Sequence, residues 1–210
     1  MPRSVRATLT TVVIGLTAVV TLSADVRFFS TFKSLDAGGT SFVGKKVAAL
    51  VMSNDMGMRV PAEEALVREL NARGMQAVAA YRIVPKEELG RADTARPWFE
   101  KQGVEGIVVL RPVSAETRQS YNSGIWVSSN YSTLWGYYGY GWGSVYVIGP
   151  ARKETVVVVE TTIYSVVKNQ LLWAAVTESN ARDLPTFVEE LGKETVKEMQ
   201  KQGLAKSQRR

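Results

Sequence analysis

Neither cysteine nor histidine occurs in this 210-residue chain. Without cysteine there is no disulfide, no thiolate nucleophile, no cysteine-ligated zinc and no lipidated cysteine of the bacterial lipoprotein kind. Without histidine the commonest general base and transition-metal ligand are missing, and no Ser-His arrangement can form. GxGxxG, GxxxxGK[ST] and GxSxG are also absent, so neither a nucleotide site nor a hydrolase elbow is supported. No catalytic residue, metal ligand or cofactor is expected. The third scarcity is local. Between Arg118 and Arg152 there is no charged side chain.

What is present fits one globular domain with a terminal segment. Hydrophobic residues make up 45% and charged residues 22%, enough for a real core at this length. Net charge is +6, and removing Arg3 and Arg6 with the N-terminal segment leaves +4. Part of that excess sits in the tail, Lys201, Lys206, Arg209 and Arg210, a solvated end rather than a polyanion site.

Residues 1–6 are short and basic, and residues 7–24 carry no charge before ending in Ser23 and Ala24. This is the pattern of a secretory signal, with Leu22 an imperfect −3 residue for a cut after Ala24. A retained membrane anchor, at a length near the lower limit for a span, and a buried N-terminal helix are the alternatives. Signal or anchor places the body of the protein outside the cytoplasm, periplasmic or envelope-associated. Residues 25–43, with Gly38 and Gly39, read as a linker, residues 44–203 as the domain, and 204–210 as a basic tail.

Within the domain, KKVAALVM at 45–52 fits a buried strand, and 62–73 a helix near Pro61 that ends at Gly74. Residues 75–84 follow as a strand. A short helix runs from Asp93 or Thr94 to Gln102 and stops at Gly103, and 104–112 forms a third strand. Strand, helix, strand, helix, strand at this spacing predicts parallel βαβ units. Residues 154–167 and 170–178 then predict a hairpin around Lys168 and Asn169. Thr186 with Glu189 suggests a capping box opening a final helix up to Gly203. The fold class is α/β, a mixed sheet of about five strands with about three helices.

Isolated polar residues have structural explanations. Asn54 and Asp55 suit a turn and helix start, and Glu63 and Glu64 suit a helix's first turn. Glu160 interrupts a valine run and shares a face with Val156, Val158, Thr162 and Tyr164, so an exposed sheet face is expected. Trp98, Phe99 and Trp173 are expected in the core. Nothing nominates a pair of carboxylates for hydrolysis.

The insert at 119–150 is where specificity is expected. It holds nine of the nineteen aromatics: Tyr121, Trp126, Tyr131, Trp135, Tyr137, Tyr138, Tyr140, Trp142 and Tyr146. From Tyr138 aromatics alternate with glycine, and in an extended chain Tyr138, Tyr140, Trp142 and Tyr146 would line one face. Three readings stand side by side: a loop that is mobile or covers the sheet or a like subunit, a stacking platform for glycan, and a membrane-interface or oligomer-forming hairpin. Nucleic acid is not expected, because no basic residue lies among the rings.

The ordered segments GKKVAALVMSND, PAEEALVRELNARGMQAVAAY, GVEGIVVLRPV and VVVVETTIYSVVKNQLLWAAVTES resemble small bacterial cell-envelope proteins and lipoproteins. They are also similar to the α/β domain of the curli-secretion lipoprotein and of the outer-membrane activators of penicillin-binding proteins. That resemblance implies a non-enzymatic domain that binds envelope proteins or like subunits, and it carries over no catalytic residue. The lipidated cysteine of such relatives is missing here. The expected function is a cell-envelope binding or assembly accessory acting through the insert. The alternatives are a wall- or glycan-binding module and, third, a carboxylate-dependent hydrolase. On this reading the domain should stay folded without residues 121–149.

Overall fold

The computed structural model describes residues 27–114, 121, 124–146, 156–180 and 184–205. The signal or anchor expected at 1–24 lies outside the described residues. The elements, in order, are β1 (Arg27–Lys33), β2 (Lys46–Val51), α1 (Met56–Asn71), β3 (Gln76–Ala79), α2 (Ala80–Ile83), α3 (Lys86–Leu89), α4 (Ala92–Lys101), β4 (Gly106–Val113), α5 (Leu134–Gly143), β5 (Val156–Ser165), β6 (Gln170–Asn180) and α6 (Leu184–Lys201). Six strands form one mixed sheet in the order β1-β6-β5-β4-β2-β3. β2 is parallel to β3 and β4, while β4, β5, β6 and β1 pair antiparallel in turn. The α/β class is as expected, with one strand more and with α2, α3 and α5 in addition to the three helices expected.

The sixth strand is β1, inside the segment read as a linker. Its alternation is broken by a bulge between Phe28 and Ser30. Phe28 therefore packs on one face of the sheet and Phe32 on the other, four residues on. Phe42 is buried too, and its amide donates to the Leu204 carbonyl at 2.9 Å. Leu204 and Ala205, assigned to the basic tail, are buried core residues.

Both faces of the sheet are covered. On one side Val47, Ala49, Val108, Leu110, Val159 and Trp173 pack with α1 and α6 through Leu66, Leu70, Phe187, Leu191 and Met199. On the other, Ala48, Leu50, Val109, Val158, Ala174 and Val176 meet α2 to α4 and the aromatic insert. Strands covered on both faces read as continuous apolar runs, as β2 and β4 do.

Several boundaries move. α1 begins at Met56, not after Pro61, because Asp55 is its N-cap: Oδ1 accepts from the Gly57 amide at 2.8 Å. β3 ends at Ala79, and 80–83 turns into α2 instead of extending the strand. α6 starts at Leu184, ahead of the expected capping box at Thr186. The β5–β6 turn spans 166–169, four residues rather than two. Asn169 does adopt the left-handed conformation, φ 49°, that the turn needs. Gly74 and Gly103, at φ 84° and 66°, end their helices as expected. Among the described residues no helix is long and apolar enough to cross a membrane.

Candidate functional site: an aromatic layer over a buried ion pair

The insert is not an extended ring-lined strand. A 3-10 turn at Ile125–Val127 leads through Tyr131 into the helix α5. Thr133 caps α5, its Oγ1 accepting from the Gly136 amide at 3.2 Å. Helical spacing turns Leu134, Tyr137, Tyr138 and Gly141 inward. Four of the ten residues are glycine. At roughly 1 kcal/mol per glycine relative to alanine, α5 would not persist alone. Tertiary contacts hold it.

Those contacts are specific. Tyr121 stacks on Trp126 with centroids 5.6 Å apart, Trp126 meets Tyr131 edge-on at 5.2 Å, and Tyr137 stacks on Tyr164 of β5 at 5.4 Å. The Tyr138 hydroxyl donates to the Leu89 carbonyl at 2.7 Å, and Tyr164 donates to the Tyr131 carbonyl at 2.7 Å. The Leu171 amide donates to the Ser132 carbonyl at 3.0 Å, and the Trp135 amide to Asn169 Oδ1 at 3.2 Å. The layer is thereby tied to α3, β5, β6 and the β5–β6 turn.

Beneath it lies an ion pair. Arg111 of β4 and Glu160 of β5 face each other in register. They are 2% and 0% exposed. Arg111 Nε donates to Glu160 Oε2 at 3.0 Å, and Nη2 donates to the same oxygen. The Tyr121 hydroxyl adds a third donor at 2.8 Å and Tyr131 a longer one at 3.4 Å. Arg111 Nη1 donates to Ser144 Oγ at 2.9 Å. The guanidinium lies 5.0 Å from the centre of the Tyr140 ring, a cation–π distance. Losing either partner would strand a charge in an apolar layer, worth about 3–5 kcal/mol. Burial pushes the Glu160 carboxyl upward from its ordinary value, and Arg111 pulls it back. Burial, and then the charge of Glu160, push the hydroxyls of Tyr121, Tyr131 and Tyr137 upward, so they stay protonated.

A second buried carboxylate stands where β2 and β3 end. Glu63 is fully buried, its Oε1 accepting from the Val51 amide at 3.1 Å and its Oε2 from the Tyr81 amide at 2.9 Å. Arg59 Nε lies 3.2 Å from Oε1. Burial dominates and raises the Glu63 carboxyl to about 7 against those donors.

The expectation that Glu160 sits on an exposed face is corrected: the alternation is right, but the insert covers that face. Glu63 is not in a first turn, because α1 begins at Met56. Of the nine insert aromatics, Trp126, Tyr131, Tyr137 and Tyr138 are buried, and because the segment is helical the single face that an extended chain would give Tyr138, Tyr140, Trp142 and Tyr146 does not form. Tyr121, Trp135, Tyr140 and Trp142 are partly buried, and Tyr146 is 43% exposed. Phe99 and Trp173 are core residues as expected, whereas Trp98 is only partly buried. Sequence reasoning missed Arg111 and Arg59. The signal for Arg111 was a lone cation in one apolar strand facing a lone anion, Glu160, in another. Among the described residues no group of three or more acidic side chains is placed to hold a metal ion.

No protein-family model and no curated protein matches this chain. Among solved structures it is similar to the PelC dodecamer from Paraburkholderia phytofirmans, in two crystal forms, one of them a point variant. In each case identity is 14%, the TM-score 0.46, and the match covers 88% of this chain and 99% of that chain. At that TM-score and identity the likeness carries nothing about the site.

Proposed function

We propose that this chain is a non-enzymatic binding or assembly accessory of the cell envelope, and that its working surface is the outer side of the aromatic layer. The observation that carries this reading is the way the uncharged insert is built. Its buried rings fix it to the sheet, while Trp135, Tyr140 and Trp142 stay partly exposed and Tyr146 and Val127 are 43% and 66% exposed. Gly139 and Gly143 have open space where a side chain would project, so another surface can approach the helix backbone. The signal-like segment at 7–24 supports export. Glu63 accepts on both oxygens and Glu160 accepts Arg111 and Tyr121 on Oε2, internal contacts that favour binding over hydrolysis as the role.

The test uses the mature chain and a V127S/W142S/Y146S variant. Both should show the same far-ultraviolet circular dichroism. The parent should pellet with isolated envelopes or sediment as an oligomer, and the variant should do neither. A variant that keeps the parental pelleting and mass overturns the proposal. Pelleting of the parent with purified, protein-free cell wall would favour the glycan-binding alternative, which rests on the same partly exposed rings.

A further inference from the structure

We infer that the Arg111–Glu160 pair is a positioning device for the trailing half of α5, the half that carries Tyr140 and Trp142 and leads to Tyr146. The inference rests on the contact surface proposed above and names what holds it in place.

The two halves of α5 are anchored differently, although the Tyr137 ring of the leading half also lies 5.9 Å from the Arg111 guanidinium. The leading half has the Thr133 cap, the Trp135 amide on Asn169 and the Tyr138 hydroxyl on the Leu89 carbonyl. None of these involves the ion pair. The trailing half ends on Arg111. Nη1 donates to Ser144 Oγ at 2.9 Å, and that hydroxyl donates onward to the Tyr140 carbonyl at 2.8 Å. Ser144 is also the C-cap, its amide donating to the Gly141 carbonyl at 3.2 Å. A cation at this position opposes the negative end of the helix dipole. Gly141 lets the helix sit down on the arginine: a Cβ there would come within 3.3 Å of Arg111 Cδ and 2.4 Å of Met52 Sδ. Three of the four helix glycines, Gly139, Gly141 and Gly143, fall in this half, so its own propensity to stay helical is weakest.

Glu160 makes the arrangement rigid. It receives Nε and Nη2 of the same guanidinium on one oxygen, which fixes the plane of the fork and leaves Nη1 aimed at Ser144. The Tyr121 hydroxyl on that oxygen ties in the start of the insert. The ion pair thus touches both ends of the insert and reaches its middle through the Tyr131 hydroxyl and the Tyr137 ring, while the first turn of α5 is fixed independently by Thr133 and Asn169.

The experiment is residue-resolved hydrogen exchange on the full chain, its S144A variant and the R111M/E160M double variant. The double variant removes the charges together and keeps apolar bulk on the sheet face, so the fold should survive. In it the amides of 140–144 should exchange at least ~100-fold faster, with 135–136, held by Asn169 and Thr133, and α1 within about threefold of the parent. S144A should accelerate 140–144 by roughly tenfold. Equal acceleration along the whole of α5, or none in the double variant, overturns the inference. If the double variant unfolds, S144A alone decides: a parental rate at 140–144 overturns the inference and selective acceleration supports it. Envelope pelleting is read in parallel. Selective loosening with parental pelleting keeps the positioning role and sinks the proposed contact surface.

Discussion

Glu63 shows how one buried side chain gives the whole protein a pH dependence. Its carboxyl ordinarily titrates at 4.5 and is raised by burial to about 7 in the folded chain. A raised acid favours the folded state while protonated, so the stabilisation is complete below 4.5 and is lost as pH climbs through 7. The difference corresponds to roughly 3 kcal/mol across that window. Thermal melts between pH 4 and 8 should therefore fall with rising pH, and the Glu63→Gln chain should lack that slope. A parental profile that rises through this window would contradict the assignment. Arg111 and Glu160 illustrate the limits of reading single residues. Each stands alone in an apolar strand, and only their register, Arg111 opposite Glu160, shows that they belong together.

For elements, α5 is the sharpest case. Glycine alternating with tyrosine and tryptophan favours extended chain by pattern, yet the segment is helical. The Thr133 cap and the inward Leu134, Tyr137 and Tyr138 outweigh propensity. This makes the glycines non-equivalent. A Cβ at Gly136 would lie 2.7 Å from the Ser129 carbonyl oxygen and 2.8 Å from Thr133 Oγ1, whereas one at Gly139 meets nothing within 4 Å. Gly136→Ala should thus lower stability by about 1–3 kcal/mol, since backbone must give way. Gly139→Ala should raise it by about 0.4–1 kcal/mol. Urea titration of both variants checks the opposite signs. The β1 strand escaped sequence reading for a different reason, because its bulge destroys the two-residue period. Where no bulge or cap intervened, in β2, β4 and the final helix, periodicity located the elements to within a few residues.

At the scale of the molecule, the insert is one of the layers over the sheet. Trp126, Tyr131, Tyr137 and Tyr138 are each at most 2% exposed. Rings of this kind bury about 150–250 Å² apiece. At ~25 cal/mol per Å² the four represent on the order of 20 kcal/mol of gross transfer free energy. A domain is stable by only about 5–15 kcal/mol in total. Deleting residues 121–149 should therefore unfold the chain, not leave the intact core that sequence suggested. Loss of the cooperative calorimetric transition would confirm this, and a deletion chain melting like the parent would refute it.

Legible along the chain were the α/β class, the buried parallel strands, the glycine stops of the helices and the absence of histidine and cysteine chemistry. These follow from composition and from short-range periodicity, which depend on near neighbours along the chain. The nature of the aromatic insert emerges only from contacts between distant segments. Whether Tyr137 faces solvent or stacks on Tyr164, and whether Glu160 meets water or Arg111, depends on which surface covers the sheet. That choice is made by long-range packing, where a covered face turns a lone charge into half of a buried pair.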